Sequence, residues 1–331
     1  MKSQVKKMTN IEAQKIIERI DSMPLYLHAY AFHLNMRKER ILPDDLLEIA
    51  KKLYLTGAKI HVEDGETQAL KTMSDEQLEA FGQKAKEYNL DLKIETSSSA
   101  ASAIDEAVHI ALKTGASSIR FYPRYEGNLQ DVLQKVKADI QYIKDTHEHT
   151  GLKFVIEQHE DLKSHELNQL VEEADFPNFS LLFDFGNMFN ANELPLDAFD
   201  KMKDNITQVH MKDAVRVPEG KGFGHKASLS GEGEVPFKTL LKKLICLGDE
   251  KPQVVSFGLE EEVDYYAPAF RFDDEGDNPW IPYRGASETP MPTEGLDARL
   301  EKEMNDAINQ LAFVRNIAEE LKQEAIAVLN K

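Results

Sequence analysis

The sequence predicts an α/β protein built as a (β/α)₈ TIM barrel. Eight short apolar segments alternate with helical ones, no glycine-rich nucleotide loop follows the first of them, and 331 residues suffice for one such barrel. The strands are expected at 25–32, 58–63, 90–96, 117–123, 152–158, 180–185, 207–213 and 253–260. Helical periodicity fills 43–56, 74–88, 102–114, 128–145, 164–173, 195–204 and 236–247, and a last long helix covers 295–330. Pro43 with Asp44 and Asp45, Ser74 with Gln77, and Ser102 with Asp105 and Glu106 mark helix starts. Gly57, Gly115 and Gly151 each stand before a strand, where a helix ends or the chain turns. An extra helix over 10–21 precedes the first strand and is placed to cover the barrel bottom. The rival fold, a doubly wound open sheet, lacks support because neither GxGxxG after the first strand nor GxxxxGK[ST] occurs.

The whole chain, 1–331, reads as one domain with its core at about 20–262. Two connections break the alternation: a glycine-rich stretch at 214–235 after strand seven, and a proline- and aromatic-rich one at about 261–294 after strand eight. The second holds Pro268, Pro279, Pro282, Pro290, Pro292 and Trp280. Neither shows an obvious regular element. Both would emerge at the carboxyl face, and loops of that length usually serve a site or an interface.

Composition narrows the function. Lys and Arg number 40 against 58 Asp and Glu, a net charge of −18, which argues against a duplex nucleic-acid surface. The single cysteine, Cys246, excludes an intrachain disulfide framework and any Cys-rich metal site. With no apolar run of membrane length and no signal-peptide core at the start, the expectation is a cytoplasmic protein without a membrane partner. A homo-oligomer stays open.

The functional signal is positional. Strand five ends in FVIEQHED, strand six in LLFDFGN, strand seven in QVHMKD and strand eight in VVSFGLEEE. Glu157, Asp184, His210 and Glu260 therefore come from four consecutive strands, at intervals of 27, 26 and 50 residues. Three oxygen ligands and one nitrogen suit an open site for a divalent ion, Mn²⁺ or Mg²⁺ ahead of Co²⁺ or Zn²⁺. Glu262 is the reserve for Glu260, because strand alternation puts both on one side and Glu261 on the other. A metal and two carboxyl groups, Glu157 and Glu260, are also the parts needed to move a proton at a carbon beside a carbonyl.

FVIEQHEDLKS, LLFDFGNMF, QVHMKDAVR, GEGEV and the glutamate after VVSFGL resemble the xylose isomerase-like TIM-barrel superfamily over roughly residues 20–262. That group includes sugar and sugar-phosphate isomerases and epimerases, and also endonuclease IV. The resemblance implies that Glu157, Asp184, His210 and Glu260 bind one divalent metal, and that the two glutamates exchange the substrate proton. It implies an isomerase or epimerase of a sugar or sugar phosphate, with a carbohydrate-like small molecule as partner. A metal-dependent dehydratase or lyase of a sugar-like hydroxy acid is the alternative; a barrel retired to a binding module is another. The Asp-x-x-His of the epimerases is replaced by Asp184-Phe-Gly-Asn187, which leaves Asn187 to meet a substrate hydroxyl. Arg216, in a H-x-x-D-x-x-R arrangement from His210, is a further candidate for substrate contact, as are His159 and His61. Lys212 and Asp213 serve near the site or form a strand-end ion pair. His28, His33, Glu95, Arg120, Arg124 and His225 are weaker candidates, and a bound phosphate would call on Arg124, Lys221 or Lys226. The endonuclease reading is disfavoured by Asn187, by the lack of Asp-x-His after strand seven and by the acidic charge.

Overall fold

A computed structural model describes residues 7–262, 264–283 and 291–331. Eight parallel strands close into a barrel: β1 (Leu25–His28), β2 (Gly57–His61), β3 (Asp91–Glu95), β4 (Ser118–Phe121), β5 (Lys153–Glu157), β6 (Phe179–Asp184), β7 (Ile206–Met211) and β8 (Ser256–Leu259). Closure comes from β8 against β1, with Leu25 opposite Phe257 and Leu27 opposite Leu259. The helices follow the expected order and end in Leu296–Leu329. Strand residues that face outward, such as Ile119, Phe121, Phe154 and Leu181, are buried under this helical ring.

The N-terminal helix Asn10–Arg19 opens with a Thr9–Glu12 capping box and packs on the C-terminal helix. Arg19 donates to the carbonyls of Ile245, Leu247, Gly248 and Asp249, which fixes this helix to the turn that leads into β8. It lies at the amino end of the barrel. The C-terminal helix is tied in by Glu303, which accepts from the backbone N–H groups of Leu34 and Asn35, and by Gln310, which donates to the Met211 carbonyl.

The stretch after β7, for which the sequence shows no regular element, is an antiparallel hairpin of Asp213–Glu219 and Gly222–Ser228. Its two-residue loop places Gly220 at φ 60°, where a hairpin turn calls for glycine. Tyr266–Ala267, from the loop after β8, adds a third strand. A Cβ at Gly222 would lie 2.4 Å from the Arg271 carbonyl oxygen, so the glycines here serve close backbone approach rather than looseness. In the second long loop, Trp280–Ile281 pairs with Gly127–Asn128; Pro290 lies outside the described residues. No helix among the described residues is long and apolar enough to cross a membrane.

Candidate metal centre

Register sets the site. Asp184 on β6 stands opposite His210 on β7, and Glu95 on β3 opposite Arg120 on β4, so each pair shares the inner face of the sheet at its carboxyl end. Gly258 makes room for them: a Cβ there would come within 3.1 Å of both His210 and Lys59. Glu260 continues this face just beyond β8, Glu262 follows it, and Glu261 turns away to accept from the Ser230 backbone N–H. The mouth opens into a pocket of about 380 Å³ lined by Glu157, Glu260, Glu262, Lys212 and, from the loop after β8, Tyr265.

Four of the predicted residues meet around His210. Its Nδ1 lies 3.2 Å from Glu157 Oε1 and 3.5 Å from Glu260 Oε2, and Glu157, Asp184 and His210 bring ligand atoms within 4.8 Å of one another. Metal bonds of about 2.1 Å place adjacent donors roughly 3 Å apart, so the spacing suits one small divalent ion. Asp184 is held by the backbone: its Oδ1 accepts from Gly186 N–H (2.7 Å) and Asn187 N–H (2.8 Å), which leaves Oδ2 aimed inward. Asp184 Oδ2 and Glu260 Oε2 are both buried without a hydrogen bond. Charge points the same way. Buried Glu95, Glu157, Asp184, Glu260 and Glu262 are ion-paired with Lys59, Arg120 and Lys212 and contact His28 and His210. The five carboxylates outnumber the three Lys and Arg cations, an imbalance that one divalent ion would offset.

A second cluster, His28, Glu95 and His210, also gathers ligand types. Its hydrogen bonds give it another role. His28 Nδ1 accepts from the Tyr30 backbone N–H, so its Nε2 carries the proton and donates to Glu95 Oε2 at 2.8 Å. Burial lowers the His28 pKa and keeps the ring neutral. His210 Nε2 sits 3.1 Å from Glu95 Oε1. Burial opposes the charge of Glu95, but Arg120 and the two histidines hold its carboxyl well below the usual carboxylate range. Glu95 is thus the anion that fixes the His210 tautomer and turns Nδ1 toward the metal position. Glu95→Gln should weaken Mn²⁺ binding by roughly 10–100-fold, measured by calorimetry, because an amide cannot accept from both imidazoles and Arg120. Unaltered affinity would remove Glu95 from this role.

Other predicted residues are distributed unevenly. Asn187 is buried beside the centre, with Nδ2 3.5 Å from Glu157 Oε1 and 3.1 Å from the Gln158 carbonyl. His61 and His159 line the pocket; His61 Nε2 is 2.8 Å from Ser97 Oγ, and His159 stacks on Tyr122 at 3.7 Å. Arg124 lines it too, with Nε donating to the Ser97 carbonyl at 2.7 Å. The structure does not bring Arg216 there. Its Nε pairs with Glu234 at 2.7 Å on the hairpin, beside Phe223 and Phe189. Lys221 pairs with Asp274, and Lys226 is exposed on the hairpin; neither lines the pocket. Asp213 resolves as a loop organiser whose carboxylate accepts from the backbone of Ala214, Gly231, Gly233 and Val235.

Sequence reasoning does not single out Lys59, although a lysine amid the apolar run AKIHVE is a signal. Its ammonium is fully buried inside the barrel, 3.1 Å from Gln208 Oε1 and 4.0 Å from Glu95 Oε1. Burial lowers its pKa to about 7. At the rim, Asp64 accepts from the His61 backbone N–H, and burial pushes its carboxyl up to about 7 from an ordinary 3.8. A carboxyl raised in the fold favours the folded state when protonated, and that contribution fades as pH climbs through the folded value. Asp64→Asn should therefore lose less thermal stability than wild type between about pH 5 and pH 8. Parallel melting curves across that window would disprove it.

With this geometry in place, the chain can be assigned. Residues 47–255 match the xylose isomerase-like TIM-barrel family, and the protein belongs to it. It is 63% identical to the Escherichia coli K12 protein YihM over 319 residues, 96% of this chain and 98% of that one. Among solved structures, a D-tagatose 3-epimerase-like protein superposes with TM-score 0.62 at 13% identity, over 91% of this chain and 99% of the other. The probable 3-DHS dehydratase AsbF from Bacillus anthracis gives 0.54 at 17% identity, over 71% and 91%. Both structural likenesses show the fold. Family and donor set together support a divalent-metal site with the catalytic potential typical of this family.

Proposed function

We propose that the protein is a divalent-metal-dependent isomerase or epimerase that moves a proton at the carbon beside a carbonyl in a sugar or sugar phosphate. The observation that carries this reading is the gathering of Glu157, Asp184 and His210 ligand atoms within 4.8 Å of one another, with Glu260 Oε2 3.5 Å from His210 Nδ1, beside a pocket that Glu157 and Glu260 line and that is wide enough for a monosaccharide. Mn²⁺ or Mg²⁺ fits the oxygen-rich set, and the ion would supply Lewis-acid polarisation of the carbonyl and adjacent hydroxyl.

The protein's own groups are matched to the proton transfers. Burial pushes against ionisation of Glu157, but Arg120, with Nε 3.1 Å from Oε2, and His210 hold it well below the usual range, poised to accept. Burial pushes the Glu260 carboxyl up despite Lys212, His210 and His28. Two carboxyl groups pushed in opposite directions are what removal and return of a proton require. His61 and His159, which line the pocket, and Asn187, buried beside Glu157, are assigned to substrate hydroxyls, while Arg216 pairs with Glu234 and does not line the pocket. The deciding experiment incubates Mn²⁺-loaded protein in D₂O with ketoses, their phosphates and hydroxy acids. Deuterium beside the carbonyl with an epimer or an aldose–ketose product supports the proposal. An unsaturated, ultraviolet-absorbing product selects a dehydratase, and bound metal with no exchange selects a binding module.

A further inference from the structure

Resting on the metal-centre reading above, we propose that Lys212 is a built-in cation that competes with the metal for Asp184 and Glu260 and so sets metal affinity. Lys212 lies just beyond β7, is 3% exposed and lines the pocket. Its ammonium donates to Glu262 Oε1 at 2.9 Å. The same nitrogen stands 3.2 Å from Asp184 Oδ2 and 3.5 Å from Glu260 Oε2, the two oxygens that have no hydrogen bond. One cation is thus hydrogen-bonded to a carboxylate outside the central set and ion-paired with the inward oxygens of two carboxylates within it.

The fold makes space for this side chain. A Cβ at position 186 would press on Lys212 Cε at 3.3 Å, so Gly186, directly after the Asp184 strand end, keeps its path open. Without metal, Lys212 offsets three buried carboxylates that would otherwise repel one another. With metal, it becomes a like charge beside the ion, drawn back by Glu262. Glu262 is then a counterweight that positions Lys212, and its carboxylate tunes the centre without ligating.

Mn²⁺ alone is the probe. In calorimetry on the full chain, Lys212→Gln and Lys212→Met should bind Mn²⁺ at least about tenfold more tightly than wild type, the scale on which one charge within ~4–6 Å changes a proton's affinity. Metal-free melting points should fall in both, and saturating Mn²⁺ should raise them by more than it raises wild type. Glu262→Gln should weaken Mn²⁺ binding in wild type by releasing Lys212 onto Asp184 and Glu260, and should weaken it clearly less in the Lys212→Met background, where only the loss of a nearby negative charge remains. Equal weakening by Glu262→Gln in both backgrounds shows that Glu262 acts on the metal directly, not through Lys212, and overturns the proposal. Wild-type binding that neither lysine variant improves overturns it too, while leaving the metal centre intact. If wild type and variants all fail to bind Mn²⁺, the metal reading falls and this inference with it.

Discussion

Glu157→Gln and Glu260→Gln, assayed at saturating Mn²⁺, should each lower turnover by roughly 10²–10⁴-fold, the contribution of a positioned acid or base. Both residues flank His210 Nδ1, so on the proposed reading each variant removes a metal ligand as well as a proton-transfer group. Metal content must therefore be measured on the same samples. A variant that keeps its Mn²⁺ and still loses turnover has lost proton transfer; one that empties has lost the centre. The two should also differ from each other. Glu157→Gln removes one of the two buried carboxylates paired with Arg120 and leaves it Glu95 alone, so it should lower the melting point more than Glu260→Gln, whose carboxyl burial already favours the neutral form. Arg216→Ala is the control, since its pairing with Glu234 on the hairpin predicts turnover close to wild type. Full turnover in either metal-loaded glutamate variant would refute the acid–base assignment.

The barrel was legible because its signal is local and repeated. Each strand is a short apolar run that alternates with a periodic helical one, and the observed bounds of β5, Lys153–Glu157, and β6, Phe179–Asp184, lie within a residue of those expected. Glu157, Asp184 and His210 stood out for a related reason: each is a polar residue where an apolar run ends, which in a barrel is the mouth. What lay beyond reach depends on distance along the chain. Glu95 gains its place from His28, Arg120 and His210, on three other strands, so its own neighbourhood in LDLKIET carries little of that information. Lys59 becomes tolerable through Gln208 and Glu95, which stand on other strands. The hairpin after β7 was hidden because glycine weakens strand preference, while its third strand, Tyr266–Ala267, comes from the loop after β8. Arg216 shows the converse. Its spacing from His210 matches a motif, but the hairpin carries it away from the pocket to Glu234.

Asp184→Asn should reduce Mn²⁺ affinity by roughly 10²–10³-fold, in line with the few kcal/mol lost when one partner of a buried charge pair is removed. The size follows from how Asp184 is held. Its Oδ1 is committed to the N–H groups of Gly186 and Asn187, so an asparagine that keeps those bonds must turn its NH₂ group inward. That replaces an anionic oxygen with a donor, aimed at the ammonium of Lys212 now 3.2 Å away. The opposite rotamer sets the NH₂ group against two backbone donors, which is no better. Either way the centre loses a ligand and gains a repulsion, although the volume hardly changes and the barrel should still fold. Elemental analysis and calorimetry on the purified variant test this directly, with circular dichroism to confirm the fold. Retained stoichiometry and affinity would mean that Asp184 is a structural carboxylate serving the turn at Gly186 and Asn187, with Lys212 as its intended partner.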